Sequence, residues 1–327
     1  MNETEKMLFD SINSLFENIS LKELKFINLE LSKKYKKQKQ KTFASDKERL
    51  AYIASRMPAT FKAIEYSLNE IINISPSIKI KTVLDLGAGP GTSLWALLSV
   101  FNLQNEEIKT SLSNICLVEK DEKMIFYAKK LLENFNKISK KITFEKKDIL
   151  KIKNYDFDLV MLSYVANELK NYQIDKIINR WFFSKSKIIV FVEPGTKYGF
   201  TNIKYIRDKL IKKGCNIIAP CPNTLKCPMP KNDWCHFYVR VKRSKIHKYI
   251  KGGSLGYEDE KFSYVIATKE NVKNPKARIL RFVKKTKQEI HFTLCKDGKV
   301  LIEKVLRKDK KRYKMVKKLN WGDVFDV

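Results

Sequence analysis

The sequence predicts an α/β fold with a mostly parallel sheet, preceded by helices and followed by a β-rich extension. Apolar strand-like segments alternate with helical segments from about residue 79 to residue 196, which is typical of parallel strands joined by right-handed crossovers. The first strand leads through a glycine-rich turn into a helix. Hydrophobic residues form 43% of the 327-residue chain, as in ordinary globular proteins, so disorder is not expected.

The first 75 residues are predicted to form a helical N-terminal region. Leu8, Ile12 and Leu15 recur at three- and four-residue spacing, which places them on one helical face. Ser45 and Glu48 form a candidate capping box for a later helix. Pro58 fits only a first helical turn or a break.

A strand ending at Asp85 is followed by Gly87, Gly89 and Gly91. The first two glycines let the backbone bend and approach a ligand, and Gly91 is expected to allow close packing at the next helix. The dinucleotide pattern G-x-G-x-x-G is not met, whereas D-L-G-x-G-x-G resembles motif I of S-adenosylmethionine-dependent methyltransferases. That resemblance implies the class I, Rossmann-like fold and a donor site at Asp85 and the three glycines.

Two further acidic residues fall where this fold would use them. Glu119 ends a short apolar strand about thirty residues after the turn, where a carboxylate can accept hydrogen bonds from ribose hydroxyls. Asp148 follows the third strand, on the loop where such enzymes contact adenine. Later strands are predicted at 157–162, 187–196 and 262–268, so a methyltransferase-like domain is assigned to residues 76–268.

Cys221, Cys227 and Cys235 lie in one proline-rich stretch, and Cys295 lies far downstream. The C-x5-C-x7-C spacing with a fourth cysteine suits four thiolates on one iron–sulfur cluster or one zinc ion. The sequence neighbours of these four cysteines are polar, so their thiols are not expected to be ordinary core residues. Cys116 and Cys215, by contrast, lie in apolar runs and are predicted to be core residues. The cysteine-bearing stretch is predicted to be an insertion, 219–261, beside the carboxyl end of the sheet.

The last segment, 269–327, is predicted to be a basic, β-rich extension. Asp297-Gly298 marks a hairpin turn after the strand that carries Cys295. A metal bound by Cys295 and the insertion would close a long chain loop and stabilise the extension. His236, His247 and His291 are alternative ligands, but four thiols suffice, and the histidines are predicted to lie on the surface or against RNA.

A formal charge of +30 indicates a polyanionic partner. Three basic runs, 33–41, 240–251 and 307–318, favour RNA over a general lysine bias. The chain has no apolar run of about 18 residues, so no membrane span is expected. The acidic N-terminus resembles neither a secretory signal nor a transit peptide, which predicts a cytoplasmic location, and a monomer is expected.

Several segments together resemble the methyltransferase-like small-ribosomal-subunit family of mitochondria and bacteria. They include SRMPATF, VLDLGAGPGTSLWA, LVEKDEKM, VEPGT, APCPNTLKCP, DWCHF and FTLCKDGKV. The resemblance covers about residues 50–327. It implies a ribosome-associated protein with an S-adenosylmethionine pocket and a 4Fe-4S cluster on the four matched cysteines; the spacing alone leaves zinc open.

Methyl transfer is less strongly indicated, because SYVANEL follows the fourth strand where amino-group RNA methyltransferases carry N-P-P-Y or D-P-P-Y. Cys221 could serve as a cytosine-C5 nucleophile, but a metal-bound thiolate could not, and no catalytic residue is assigned. A radical enzyme is disfavoured because C-x3-C-x2-C is absent. Two hypotheses remain: a methyltransferase acting on small-subunit ribosomal RNA, in which Tyr164, Asn167 and Glu168 line the substrate side, and a non-catalytic assembly factor.

Overall fold

The computed structural model describes residues 2–16, 19–36, 43–103, 112–133 and 140–327. Its helices are α1 (Glu3–Ser14), α2 (Leu21–Lys36), α3 (Asp46–Ser55), α4 (Met57–Ile74), α5 (Thr92–Leu103), α6 (Glu122–Leu131), α7 (Asn171–Phe183), α8 (Lys197–Lys212), α9 (Lys245–Lys251) and α10 (Lys310–Val316). Its strands are β1 (Thr82–Leu86), β2 (Asn114–Glu119), β3 (Ile142–Lys146), β4 (Leu159–Ser163), β5 (Ile188–Pro194), β6 (Asn216–Ala219), β7 (Phe237–Lys242), β8 (Tyr257–Thr268), β9 (Ala277–Ile279), β10 (Lys284–Lys285), β11 (Glu289–Lys296) and β12 (Lys299–Leu306).

The main sheet has the order β3-β2-β1-β4-β5-β8-β6, and β7 pairs with β8. Strands β1 to β5 are parallel, whereas β8 runs antiparallel to both β5 and β6. The chain therefore forms the predicted α/β fold with a sheet that is mostly parallel. Strand order reverses between β1 and β4, and in such sheets ligands bind outside the carboxyl ends of the strands at this point.

The central strands are buried on both faces, which explains why they read as continuous apolar runs. In β1, Val83 faces one hydrophobic core and Leu84 and Leu86 face the other, all with at most 1% exposure. This pattern is expected where helices cover both sides of a parallel sheet. The burial fixes the end of β1, and with it the position of the glycine turn.

The N-terminal helices share the first of these cores. Ser45 caps α3 by accepting a hydrogen bond from the backbone N–H of Glu48, and Pro58 lies in the first turn of α4, both as predicted. Phe61 and Leu68 of α4 are buried in the same cluster as β1 and α5. The helical region is consequently packed onto the sheet.

The sequence did not predict β7, and β8 begins five residues earlier than the predicted Phe262. In β7 only Phe237 and Val241 are buried, and Arg240 and Lys242 at its end belong to the basic run 240–251. Pairing with the first half of β8 extends the sheet into the cysteine-bearing insertion.

None of the helices in the described ranges is long and apolar enough to cross a lipid bilayer.

The C-terminal segment forms a small four-stranded sheet, in which β11 pairs with β9, β10 and β12. Asp297 and Gly298 both have positive φ, 48° and 70°, so the predicted hairpin turn is confirmed. Side chains of β11 alternate: Phe292 and Leu294 face a separate core, and Cys295 lies opposite Arg278 of β9. The strand register therefore turns Cys295 away from that core.

Candidate functional site

The glycine turn after β1 has positive φ angles, which residues with side chains rarely adopt. Gly87, Gly89 and Gly91 have φ of 82°, 53° and 79°. A Cβ at Gly87 would come within 2.5 Å of Val165, whereas a Cβ at Gly89 would point into open space. At Gly91 it would make only an ordinary 3.5 Å contact with Ala128, so backbone conformation, and not the predicted close packing, requires that glycine.

Glu119 is hydrogen-bonded to this turn. One carboxylate oxygen accepts a hydrogen bond from the N–H of Gly89 at 2.9 Å, and the other accepts one from the N–H of Asp121 at 2.8 Å. The carboxylate is thereby held at the carboxyl end of β2, beside the space that Gly89 leaves open. Asp148 is exposed and caps the short turn Ile149–Lys151 through a 2.8 Å bond to the N–H of Leu150.

Two acidic side chains are fully buried at strand ends near the turn. Asp85 lies at the end of β1, where burial raises its pKa to about 7 and a hydrogen bond from Ser93 acts in the opposite direction. Glu193, at the end of β5, accepts a 2.7 Å bond from the N–H of Ala166, and burial raises its pKa to about 8. Buried carboxyl groups with raised pKa values at the carboxyl ends of strands are candidates for a ligand site.

The segment after β4 carries a cluster that the sequence did not identify. Tyr164 has a φ of 62°, which is rare for a bulky residue. Its hydroxyl donates to Glu260 at 3.2 Å, and Arg56 donates to both oxygens of the same carboxylate at 2.9 and 3.3 Å. No spacing rule connects Arg56 and Glu260, which are 204 positions apart. Tyr164 was predicted to line the substrate side, whereas Arg56 entered only within the family segment SRMPATF and not as a site residue.

Helix α3 connects Arg56 of this cluster to the segment that follows β2, beside the glycine turn. At its first turns, Arg49 pairs with Asp121 at 2.7 Å, directly after the β2 strand that carries Glu119. Further along, burial raises the pKa of Tyr52 to about 12; the charges of Glu168, Glu260 and Glu119 add to the rise, and that of Arg56 opposes it. Tyr52 of α3 therefore lies close enough to Glu119 and Glu260 for both charges to affect it.

Asn167 and Glu168 belong to the short turn Ala166–Glu168. Asn167 accepts a 2.8 Å hydrogen bond from Asn202 and does not cap the following helix, whose first turn begins after Lys170. The contact of Asn167 instead joins the turn to α8.

The structure brings the four predicted ligands together. Cys221, Cys227, Cys235 and Cys295 line one cavity of about 40 Å³, walled mainly by apolar side chains and closed at the back by Arg207 and Arg278. Within the described part of the chain, no three His, Cys, Asp or Glu side chains are gathered closely enough to hold a metal ion. The thiols are thus distributed around a cavity and do not converge on one point.

Electrostatics also indicates that these thiols are neighbours. Burial raises the pKa of Cys295 to about 12, and the charges of Cys221 and Cys227 add to the rise. Cys235 shows the same pattern, with burial as the largest cause and the other three cysteines contributing. By contrast, Cys116 and Cys215 are 5% and 2% exposed and lie in the second core, as predicted.

Two of the three histidines are buried, so the prediction that they lie on the surface or against RNA is wrong for them. His236 stacks on Trp234 and packs edge-on against Trp321, and its exposure is 7%. His247 is 1% exposed and lies 3.3 Å from Glu258. Aromatic packing and ion pairing of this kind depend on tertiary contacts, which explains the failure. His291 is half-buried on β11, beside Glu289.

The three basic runs differ in how much of their positive charge is neutralised by ion pairs. Positions 37–41 of the first run lie outside the described residues. The second run is partly neutralised, since Arg240 pairs with Asp259, and Arg243 and Lys251 pair with Glu258. In the third run, six exposed lysines have no ion pair within the described residues: Lys308, Lys310, Lys311, Lys314, Lys317 and Lys318.

Comparison with known proteins gives one family match, to the model described as mitochondrial small ribosomal subunit Rsm22, over residues 46–326. Human "Ribosome assembly protein METTL17, mitochondrial" is 26% identical over 298 residues, which cover 85% of this chain and 62% of the human protein. "Rsm22-cox11 tandem protein 2, mitochondrial" of Schizosaccharomyces pombe is 24% identical, covering 91% of this chain and 46% of its own length. The chain therefore spans less than two thirds of these relatives.

Solved structures with a similar fold include two methyltransferases. Magnesium protoporphyrin IX methyltransferase of Synechocystis has a TM-score of 0.42 at 11% identity, covering 75% of this chain and 96% of that one. Precorrin-6y C5,15-methyltransferase of Geobacter metallireducens has a TM-score of 0.38 at 14% identity, covering 64% and 87%.

Proposed function

Because this chain belongs to the mitochondrial small ribosomal subunit Rsm22 family, matched over residues 46–326, we propose that it is an assembly factor for the small ribosomal subunit. Its partner would be small-subunit ribosomal RNA. The human relative is named a ribosome assembly protein, which supports this role over that of a free-standing enzyme. The observation that carries the proposal is the ion-paired cluster of Arg56, Glu260 and Tyr164, which lies beside the candidate donor site at the glycine turn.

This cluster occupies the side from which a methyl acceptor would approach. A base entering beside Tyr164 would have to displace a two-pronged ion pair whose carboxylate, on Glu260, is 8% exposed. Displacing Arg56 would leave that buried carboxylate without its cation, which is unfavourable. Methyl transfer to RNA remains the second candidate, since the glycine turn and Glu119 have the features of a donor site.

We propose S-adenosylmethionine as the ligand of that site. Gly89 leaves space for it, Glu119 would accept hydrogen bonds from the ribose hydroxyls, and exposed Asp148 would lie near the adenine. The buried Asp85 would face the ligand's positive charge at the end of β1. When bound, this molecule supplies an activated methyl group; the residues named here bind and orient it.

For the basic surface we propose contact with RNA phosphates, and we expect α10 and its flanks to contribute most. Replacing Lys310, Lys311 and Lys314 by glutamine should weaken binding to small-subunit RNA. It should also flatten the dependence of log K on log salt by about 0.7 to 0.9 for each phosphate that is no longer neutralised. Fluorescence anisotropy with an RNA fragment, titrated at several salt concentrations, measures both.

A charge-matched control is the triple replacement of Lys170, Lys176 and Lys185, which are exposed but lie outside the basic runs. It should leave the salt slope nearly unchanged. Equal slopes for the two triple variants would contradict a specific role for α10 and indicate that net charge alone attracts RNA.

For the four cysteines we propose a 4Fe-4S cluster, with zinc as the alternative. Zn–S bonds of about 2.3 Å would bring the four sulfurs of a zinc site to roughly 3.8 Å from one another. A cluster of several atoms instead keeps its ligands apart, around a cavity. The proposal is supported by the four thiols that line one cavity and by the apolar walls of that cavity. Thiolates of Cys221, Cys227, Cys235 and Cys295 would hold it, and it would tie the C-terminal sheet to the insertion.

Protein purified without oxygen should therefore contain about four iron and four acid-labile sulfide per chain, as a four-thiolate cubane requires. Elemental analysis and visible absorption measure this. A result of one zinc per chain and no sulfide would mean that the four cysteines bind zinc and not an iron–sulfur cluster. A Cys295→Ser variant should lose the metal and show faster proteolysis of the C-terminal segment, because that ligand alone comes from outside the insertion.

A further inference from the structure

Arg207 is a buried cation that faces the cysteine cavity. It lies on α8, between the apolar residues Ile206 and Leu210, and is only 5% exposed. A charge in such surroundings is unfavourable unless neighbouring groups compensate for it. Its contacts therefore indicate what this arginine is placed to bind.

The guanidinium group binds one segment of the insertion. Its Nε donates a hydrogen bond to the sulfur of Cys221 at 3.1 Å, and one terminal nitrogen donates to the carbonyl oxygens of Asn223 and Leu225 at 3.2 and 2.6 Å. The other terminal nitrogen donates to Asp208 at 3.0 Å. Three of the four bonds thus fix the segment that begins at Cys221 and leads to Cys227.

Asp208 gives limited compensation for this charge, because its side chain is 45% exposed and its second oxygen pairs with Lys204. A thiolate at Cys221 would supply the missing negative charge inside the cavity. Charge-assisted bonds of this kind are stronger than neutral ones.

We infer that Arg207 is a positioning residue for the metal group: it orients Cys221 and the following segment, and its bond to the sulfur tunes the bound metal. This inference rests on the proposed four-thiolate site. Partners that orient metal ligands typically contribute 10- to 100-fold to metal affinity. Hydrogen bonds to cluster sulfurs withdraw electron density, which favours the reduced cluster and raises its reduction potential.

Arg281 provides an internal comparison. It is 26% exposed, pairs with Asp233 at 2.6 Å and also binds the carbonyl oxygen of Trp234. Its charge lowers the pKa of Cys235 against the larger effect of burial, but it has no hydrogen bond to a sulfur among the described residues. Replacing Arg281 therefore removes a nearby charge without removing an N–H to sulfur bond.

The test compares full-length wild type, Arg207→Gln, Arg207→Lys and Arg281→Gln after anaerobic purification. Metal affinity is measured by chelator competition, and the reduction potential by potentiometric titration followed by electron paramagnetic resonance. Urea unfolding of the metal-free proteins reports any general loss of stability. Arg207→Lys keeps the charge but cannot bridge the same groups. It therefore separates the effect of the positive charge from the effect of the hydrogen bonds.

We expect Arg207→Gln to bind the metal 10- to 100-fold more weakly. Its reduction equilibrium should shift about tenfold toward the oxidised cluster, which is 59 mV for a one-electron couple. Arg207→Lys should lose affinity but keep a potential nearer to wild type, and Arg281→Gln should change both less than Arg207→Gln. Equal effects of Arg207→Gln and Arg281→Gln, or none, would overturn the inference while the metal site stands. Wild type without bound metal would overturn the metal site itself.

Discussion

Replacing Arg278 by leucine should lower the free energy of unfolding by about 3 to 5 kcal/mol, because it leaves a buried carboxylate without its partner. Arg278 is 1% exposed and pairs with Glu70 of α4 at 2.6 Å. It also donates to the carbonyl oxygens of Pro220, at 3.0 Å, and Gly322, at 2.7 Å. One guanidinium thus joins the helical region, the start of the insertion and the C-terminal tail. Urea denaturation followed by circular dichroism measures the change.

Arg240→Leu is the matched control for this change. Arg240 pairs with Asp259 on the surface, where its side chain is 58% exposed, so water can solvate Asp259 once the arginine is removed. Little change in stability is expected. If the two variants unfold at the same urea concentration, Arg278 does not hold the three parts of the chain together.

Gly89→Val should abolish measurable binding of S-adenosylmethionine, a decrease of at least about 100-fold in affinity, while the protein remains folded. A side chain at this position would occupy the open space beside Glu119, and valine disfavours the positive φ of 53°. The conformational strain should cost about 1 to 2 kcal/mol of stability. Isothermal titration calorimetry with the donor, together with a thermal unfolding curve, separates binding from folding.

Gly214→Val controls for the strain alone. Gly214 follows α8 with a φ of 83°, and a Cβ there would also meet no neighbour within 4 Å. This variant should lose similar stability but bind the donor like wild type. Donor binding by Gly89→Val at wild-type strength would contradict the pocket at the glycine turn.

The sequence was informative wherever local chemistry determines structure. Positive φ at Gly87 and Gly89 and the turn at Asp297 follow from backbone conformation, so neighbouring residues suffice to predict them. Cys221 and Cys295 were predicted to share a site because clustered thiols in polar surroundings have few other roles. Both now line one cavity, although the identity of the metal stays a prediction.

What the sequence could not predict depends on pairing between distant segments. Arg56 and Glu260 meet only because α4, which begins directly after Arg56, packs against β8, and no periodicity signals such a contact. The run 240–251 looked like one RNA-binding patch, but Glu258 and Asp259 on the neighbouring strand neutralise much of it. His247 is buried for the same reason, since its partner Glu258 arrives from β8.

Crosslinking of the protein to RNA in cells, followed by sequencing of the bound RNA, tests the central claim most directly. The exposed lysines of α10 and its flanks, and the family match over residues 46–326, lead us to expect enrichment of small-subunit ribosomal RNA. That enrichment should persist in a Gly89→Val strain if the role is assembly and not methyl transfer. Enrichment of messenger or transfer RNA in place of small-subunit ribosomal RNA would contradict the account.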